Sequence, residues 1–197
     1  MSESWNEHAK NWDRDQRVRS FADQAFASLI EHVNVRLDHW KRKRILDFGC
    51  GTGLLSEKLA PLVDKVVAVD TSPDMIDVLR RKEIDNVTAI CANIDDPDVH
   101  SHAPWFSGFD LIVASSVCGF LPNYAFTIGV LSKALSANGF FVQWDWYSTG
   151  NDVFGLTIAR ISDAFEDAGL KCLYVGAAFA VTFEDGESPV LMGVAAT

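Results

Sequence analysis

Five short apolar runs alternate with segments of helical spacing, and that alternation constrains the fold more than any other feature. The runs are "RILDF" at 44–48, "KVVAVD" at 65–70, "NVTAICA" at 86–92, "FDLIVASS" at 109–116 and "FFVQWDW" at 140–146. Between them lie "LLSEKLAPLV", "MIDVLRRK" and "AFTIGVLSKALSANG", and after the fifth run "LTIARISDAFEDAGL". Such alternation predicts a parallel sheet with helices on both faces. Pro73 suits a first helical position behind the cap candidates Thr71 and Ser72, and Thr157 suits an N-cap. Asn138-Gly139 and Gly169 read as helix stops. A helix is expected over 14–39 with Phe21, Ala25, Leu29, Val33 and Leu37 as its apolar stripe. The helix before Gly169 is expected to bury Ile158, Ile161, Phe165 and Ala168. The tail changes pattern: "KCLYVGAAFAVTF", then "EDGESP", then "VLMGVAAT" predict an antiparallel hairpin at or near a sheet edge.

A chain of 197 residues that is 48% hydrophobic and 22% charged favours one domain with a substantial core. Its formal charge of -10 disfavours nucleic acid as a partner. The basic run Lys41-Arg42-Lys43-Arg44 reads as a solvated entry into the first strand. Cys50, Cys91, Cys118 and Cys172 are widely spaced and read as reduced thiols in a cytoplasmic protein. The first fifteen residues lack the apolar stretch of a signal peptide, and no segment has the length of a membrane span.

In open parallel sheets, ligands bind beyond the carboxyl ends of the strands. The first such end is Asp47, followed by Gly49, Gly51 and Gly53. Position 54 is Leu, so the dinucleotide fingerprint GxGxxG is not met, and the phosphate loop GxxxxGK is absent. A carboxylate at Asp47 would repel a pyrophosphate and suits an ammonium group instead. The second strand ends in Asp70, nineteen positions after Gly51, a spacing that suits a carboxylate accepting ribose hydroxyls. One ligand with an amino-acid end and a ribose end fits both acids.

"ILDFGCGTGLLSEKLA", "VVAVDTSPDMIDVLRRK", "NVTAICANIDD" and "FDLIVASSVCGFLPN" resemble the successive motifs of class I S-adenosylmethionine (SAM)-dependent methyltransferases, the small bacterial type acting on small molecules. The resemblance covers roughly 45–196. It implies a Rossmann-like, doubly wound, seven-stranded sheet in the order 3-2-1-4-5-7-6, with strand 7 antiparallel. It implies a SAM-binding domain over 41–197, with 1–40 a helical lid of the same domain. The resemblance places the methionyl ammonium and carboxylate near Asp47, Gly49, Cys50, Gly51 and Gly53, and the ribose on Asp70. Thr71 and Met75 would pack around the adenine. Asn93 stands where the family usually has an acid for the adenine amino group, and the Ile94 N–H would serve the ring. Ser115 and Ser116 would lie beside the methionyl chain.

The implied reaction is in-line methyl transfer to a small-molecule acceptor, leaving S-adenosylhomocysteine (SAH). Many relatives carry a His pair after strand 4, where this chain has Gly119-Phe120. No general base is evident; His8 in the lid is the candidate. The Asn/Asp-Pro-Pro-Tyr/Phe motif of nucleic-acid amine methylators is missing, and Cys118 follows Val rather than the Pro of a cytosine nucleophile. Metal-dependent relatives carry an acid after strand 4 and an Asp-Asn pair after strand 5; here serines and then a lone Asp145 stand there, so no metal is expected, and His100 and His102 read as surface residues. Trp5, Trp12, Phe120, Trp144, Trp146 and Tyr147 are the candidate walls of an apolar or cation-binding acceptor pocket. A monomer or homodimer with no membrane or nucleic-acid partner is expected. Two alternatives stay open: transfer of another SAM-derived group, and a SAM- or SAH-binding module or non-catalytic partner subunit.

Overall fold

A computed structural model describes residues 5–35, 37–149, 155–183 and 186–197. The strands are β1 (Arg44–Phe48), β2 (Lys65–Asp70), β3 (Val87–Cys91), β4 (Phe109–Ser115), β5 (Leu135–Trp146), β6 (Lys171–Phe183) and β7 (Gly186–Ala196). The helices are α1 (Gln16–His32), α2 (Leu54–Leu59), α3 (Pro73–Arg80), α4 (Pro97–His102), α5 (Tyr124–Ala134) and α6 (Ile158–Asp167). The sheet has seven strands in the order β3-β2-β1-β4-β5-β7-β6. β7 pairs antiparallel with both β5 and β6, as the tail pattern predicts. The turn "EDGESP" lies partly outside the described residues, at 184–185.

The chain forms two compact units, Met1–Asn93 and Ile94–Thr197. In the first, β2 pairs in parallel with β1 and β3. Ile45, Leu46, Val66, Val67 and Val69 are sealed from solvent. Each such side chain contributes about 2 kcal/mol of transfer free energy. Ser72 caps α3, its hydroxyl accepting the Met75 N–H, with Pro73 next in the chain.

In the second unit, β4 and β5 pair in parallel and α6 packs on β7. Gly193 makes that packing possible, because a Cβ there would come within 2.8 Å of Ile161 and 2.9 Å of Phe165. The Thr157 hydroxyl accepts the Arg160 N–H as an N-cap, and Gly169 takes a left-handed φ of 72° after the helix.

Three expectations need correction. The helix expected over 14–39 ends at His32, because Val33 is extended (φ -130°). Val33 and Val35 are buried with Asn34 exposed between them, a two-residue period, while Leu37 is 51% exposed. The helix expected to stop at Asn138-Gly139 ends at Ala134, where Leu135 is already extended. Asn138 (φ 63°) belongs to the entry into β5, and a Cβ on Gly139 would lie 3.0 Å from the Phe109 carbonyl. Ile158 is 47% exposed in the first turn of α6; the buried face is Ile161, Ala164 and Phe165.

Candidate cofactor site at the glycine turn

In the first unit, Asp47 is sealed beside the end of β1. Ser56 of α2 donates its hydroxyl to this carboxylate at 2.6 Å. Burial pushes the Asp47 carboxyl up to about 6, against the Ser56 hydrogen bond and with the help of the Asp70 charge. Burial also raises the Asp70 carboxyl and the Cys50 thiol.

Between these acids the chain turns through three left-handed glycines, Gly49 (φ 67°), Gly51 (φ 52°) and Gly53 (φ 85°). The Gly49 and Cys50 N–H groups both donate to the Val69 carbonyl, at 2.8 and 3.1 Å. A side chain on Gly53 would run into Leu79 of α3. The Asp70 carboxylate accepts the Gly51 N–H at 2.9 Å on one oxygen and the Ser72 N–H at 2.8 Å on the other. Each carboxylate oxygen offers about two lone-pair sites, so both keep capacity for further donors. Among the described residues, neither Asp47 nor Asp70 pairs with a Lys or Arg.

Met75 is buried, its sulfur 4.0 Å from the point where Gly51 would carry a Cβ, and Thr71 is exposed. Asn93 is exposed, and Ile94, which opens the second unit, is buried.

The N-terminal segment adds contacts that no spacing rule signals. Ser72 Oγ donates to Asn6 Oδ1 at 2.6 Å. The Thr52 hydroxyl donates to Asp13, whose other oxygen pairs with Lys82 Nζ at 2.7 Å. Trp12 lies at the glycine turn, its Nε1 3.7 Å from the Cβ position of Gly51. Trp5 stands edge-on to it with ring centroids 5.8 Å apart. His8 is exposed, its ring 6.4 Å from that of Trp12.

In the second unit, Ser115 ends β4 and Ser116 takes a left-handed φ of 55°. Its N–H donates to the Trp144 carbonyl at 2.7 Å, and its hydroxyl accepts the Trp146 indole N–H at 3.1 Å. Trp144 is wholly buried, Trp146 and Phe120 are half-buried, and Tyr147 is 44% exposed. Trp146 also meets Phe183, centroids 5.8 Å apart; the β6–β7 hairpin supplies this partner, and strand pattern alone did not reveal it.

Asp145 is wholly buried and accepts a hydrogen bond on each of its oxygens. It accepts the Gly119 N–H at 2.7 Å and a Gln143 amide N–H at 3.1 Å, and Gln143 in turn accepts the Tyr124 hydroxyl at 2.8 Å. Burial pushes the Asp145 carboxyl up to about 8 and raises the Cys118 thiol. Among the described residues, no group of three or more His, Cys, Asp or Glu side chains is arranged to hold a metal ion.

Residues 46–141 match the methyltransferase-domain family. With the sheet order above, that match places the chain in the class I SAM-dependent methyltransferase family. An uncharacterized methyltransferase of Schizosaccharomyces pombe is 32% identical over 152 residues, covering 73% of this chain and 51% of that protein. The chain spans about half the length of the curated relatives it matches. The SAH complex of DhpI superposes with a TM-score of 0.74 at 17% identity, over 98% of this chain and 93% of DhpI. The fold is also shared with a Haloferax volcanii putative methyltransferase solved with the Trm112 methyltransferase activator (TM-score 0.72, 16% identity, 98% and 94% covered). Among the described residues, no helix is long and apolar enough to cross a membrane.

Proposed function

We propose that the chain binds SAM at the glycine turn and directs its methyl group to a small-molecule acceptor. The observation that carries this reading is the pair of a buried Asp47 and a half-buried Asp70 around three left-handed glycines, matched among the described residues by no Lys or Arg. Such a site is completed by a ligand that brings its own positive charge. Bound SAM supplies an electrophilic methyl group on a sulfonium; the protein supplies orientation and dehydration.

Asp47 attracts the ammonium, the glycines admit the amino-acid backbone, and the spare lone pairs of Asp70 accept the ribose hydroxyls. Cys50, Thr71, Met75, Asn93 and Ile94 keep the cofactor roles that the family resemblance implies, as do Ser115 and Ser116. Trp146, Tyr147, Phe120 and Trp5 remain the acceptor-side aromatics, with Phe183 added through its contact with Trp146, while the wholly buried Trp144 belongs to the core. The SAH complex of DhpI supports the cofactor assignment.

Asp70→Ala is expected to weaken SAM binding at least tenfold in calorimetric titration, the loss of charge-assisted hydrogen bonds. Unchanged affinity would remove Asp70 from the ribose.

The neighbour solved with an activator favours a second reading, in which the chain binds SAM but turns over only with a partner. Incubation with labelled SAM and a metabolite panel separates the two. Methyl transfer by the chain alone supports the first, and binding without transfer supports the second.

A further inference from the structure

The glycines of the turn have their own backbone donors already spent. The N–H groups of Gly49, Cys50, Gly51 and Gly53 are already committed to Val69, Asp70 and Cys50. The Thr52 hydroxyl spends its hydrogen on Asp13. Asp47 and Asp70, once ionised, can only accept. An amino-acid end carries a carboxylate as well as an ammonium, and that carboxylate needs a donor from outside these groups.

Trp12 offers one. Its Nε1 lies 3.7 Å from the point where Gly51 would carry a Cβ, in the room that the missing side chain leaves. An indole N–H donates and cannot accept, and it seeks a partner when it is removed from water. Among the described residues, this one has no hydrogen-bond partner, and its ring contacts are those with Trp5 and His8. The next residue, Asp13, is tied to Thr52 inside the turn and to Lys82 beyond it, and Lys82 also meets Glu57 at 2.8 Å. Asn6 is held by Ser72 at the head of α3. The ring is therefore held over Gly51 by anchors on both sides of it in sequence.

We infer that Trp12 is a cofactor-positioning residue whose indole N–H donates to the carboxylate of the bound amino-acid end, with Asp13 as the latch that keeps it there. This rests on the SAM-binding reading above. It moves Trp12 from the acceptor side, where the sequence places it, to the cofactor side.

The test compares two ligands on Trp12→Phe, which removes the N–H and keeps an aromatic ring. SAH carries the amino-acid end; 5′-methylthioadenosine keeps the adenosine and lacks that end. The variant is expected to bind SAH roughly tenfold more weakly, the scale of one hydrogen bond to a charged group. Its affinity for methylthioadenosine is expected to stay at the wild-type value, which also shows that the site is folded. Asp13→Ala should repeat the selective loss at smaller size. Equal losses for both ligands, or no loss for SAH, would overturn the inference while leaving SAM binding intact. Failure of the wild-type protein to bind SAH would instead overturn the reading beneath it.

Discussion

Asp47 and Asp145 are both sealed from solvent, at 1% and 0% exposure, yet their surroundings differ in kind. Asp145 receives hydrogens from Gly119 and Gln143, and Tyr124 steadies Gln143. That carboxyl group, sealed in with donors on both of its oxygens, fixes the turn after β4. Asp47 is served by Ser56, through its hydroxyl and its backbone N–H, and has a second carboxylate close enough to raise its titration. A buried acid completed by the fold is scaffold. A buried acid short of partners, beside a turn that admits foreign backbone, marks a place for a ligand.

Breaking this contrast from the scaffold side should give the largest effect. Asp145→Ala leaves the Gly119 N–H and the Gln143 amide without their acceptor in a dry interior. Unfolding in urea should show a stability loss of about 3 kcal/mol. A loss below about 1 kcal/mol would mean that the network carries little.

The ligand side should respond in the opposite sense. Asp47→Asn removes a poorly solvated charge and keeps an acceptor for Ser56. Stability should stay within about 1 kcal/mol of wild type, while SAM affinity falls roughly tenfold, about 1.4 kcal/mol. An equal affinity in the variant would erase the distinction between the two acids.

The smallest effect is in pH. With Asp47 titrating at about 6, its negative form dominates at pH 7 and is half lost at pH 6. SAM binding should therefore weaken about twofold between those pH values, and Asp47→Asn should flatten the profile. Unliganded stability should move the other way. The folded carboxyl holds its proton above the ordinary value of 3.8, up to about 6. The folded state thus binds more protons across that window, and stability falls as pH rises through it. Urea midpoints at the two ends of the window check the sign.

Most of the fold was legible because the strands are continuous apolar runs closed by turn residues. β2 falls on 65–70 as the pattern places it, and Ser72 and Thr157 cap the helices they precede. The misjudged helix ends share a physical cause. Val33-Asn34-Val35 buries its valines in extended backbone, and Leu135 is drawn into pairing with Phe109 before the Asn-Gly signal arrives. Local propensity does not contain either contact.

The acids and glycines at the turn were legible because backbone torsion and charge are written at fixed offsets. The Asp13–Lys82 and Asn6–Ser72 contacts were not, because residues 69 and 66 apart meet only in the folded chain. The place of Trp12 belongs to the same group. Asp145 was visible as a lone acid on a strand, but its role depends on Gly119 reaching it from 26 positions away.

The central claim is that the glycine turn and its two acids form a site for SAM. Calorimetric titration of the wild-type protein with SAH at pH 7.5 tests it most directly. One-to-one binding with a Kd of roughly 1–100 μM is the expected result, and the absence of binding at millimolar SAH would contradict it.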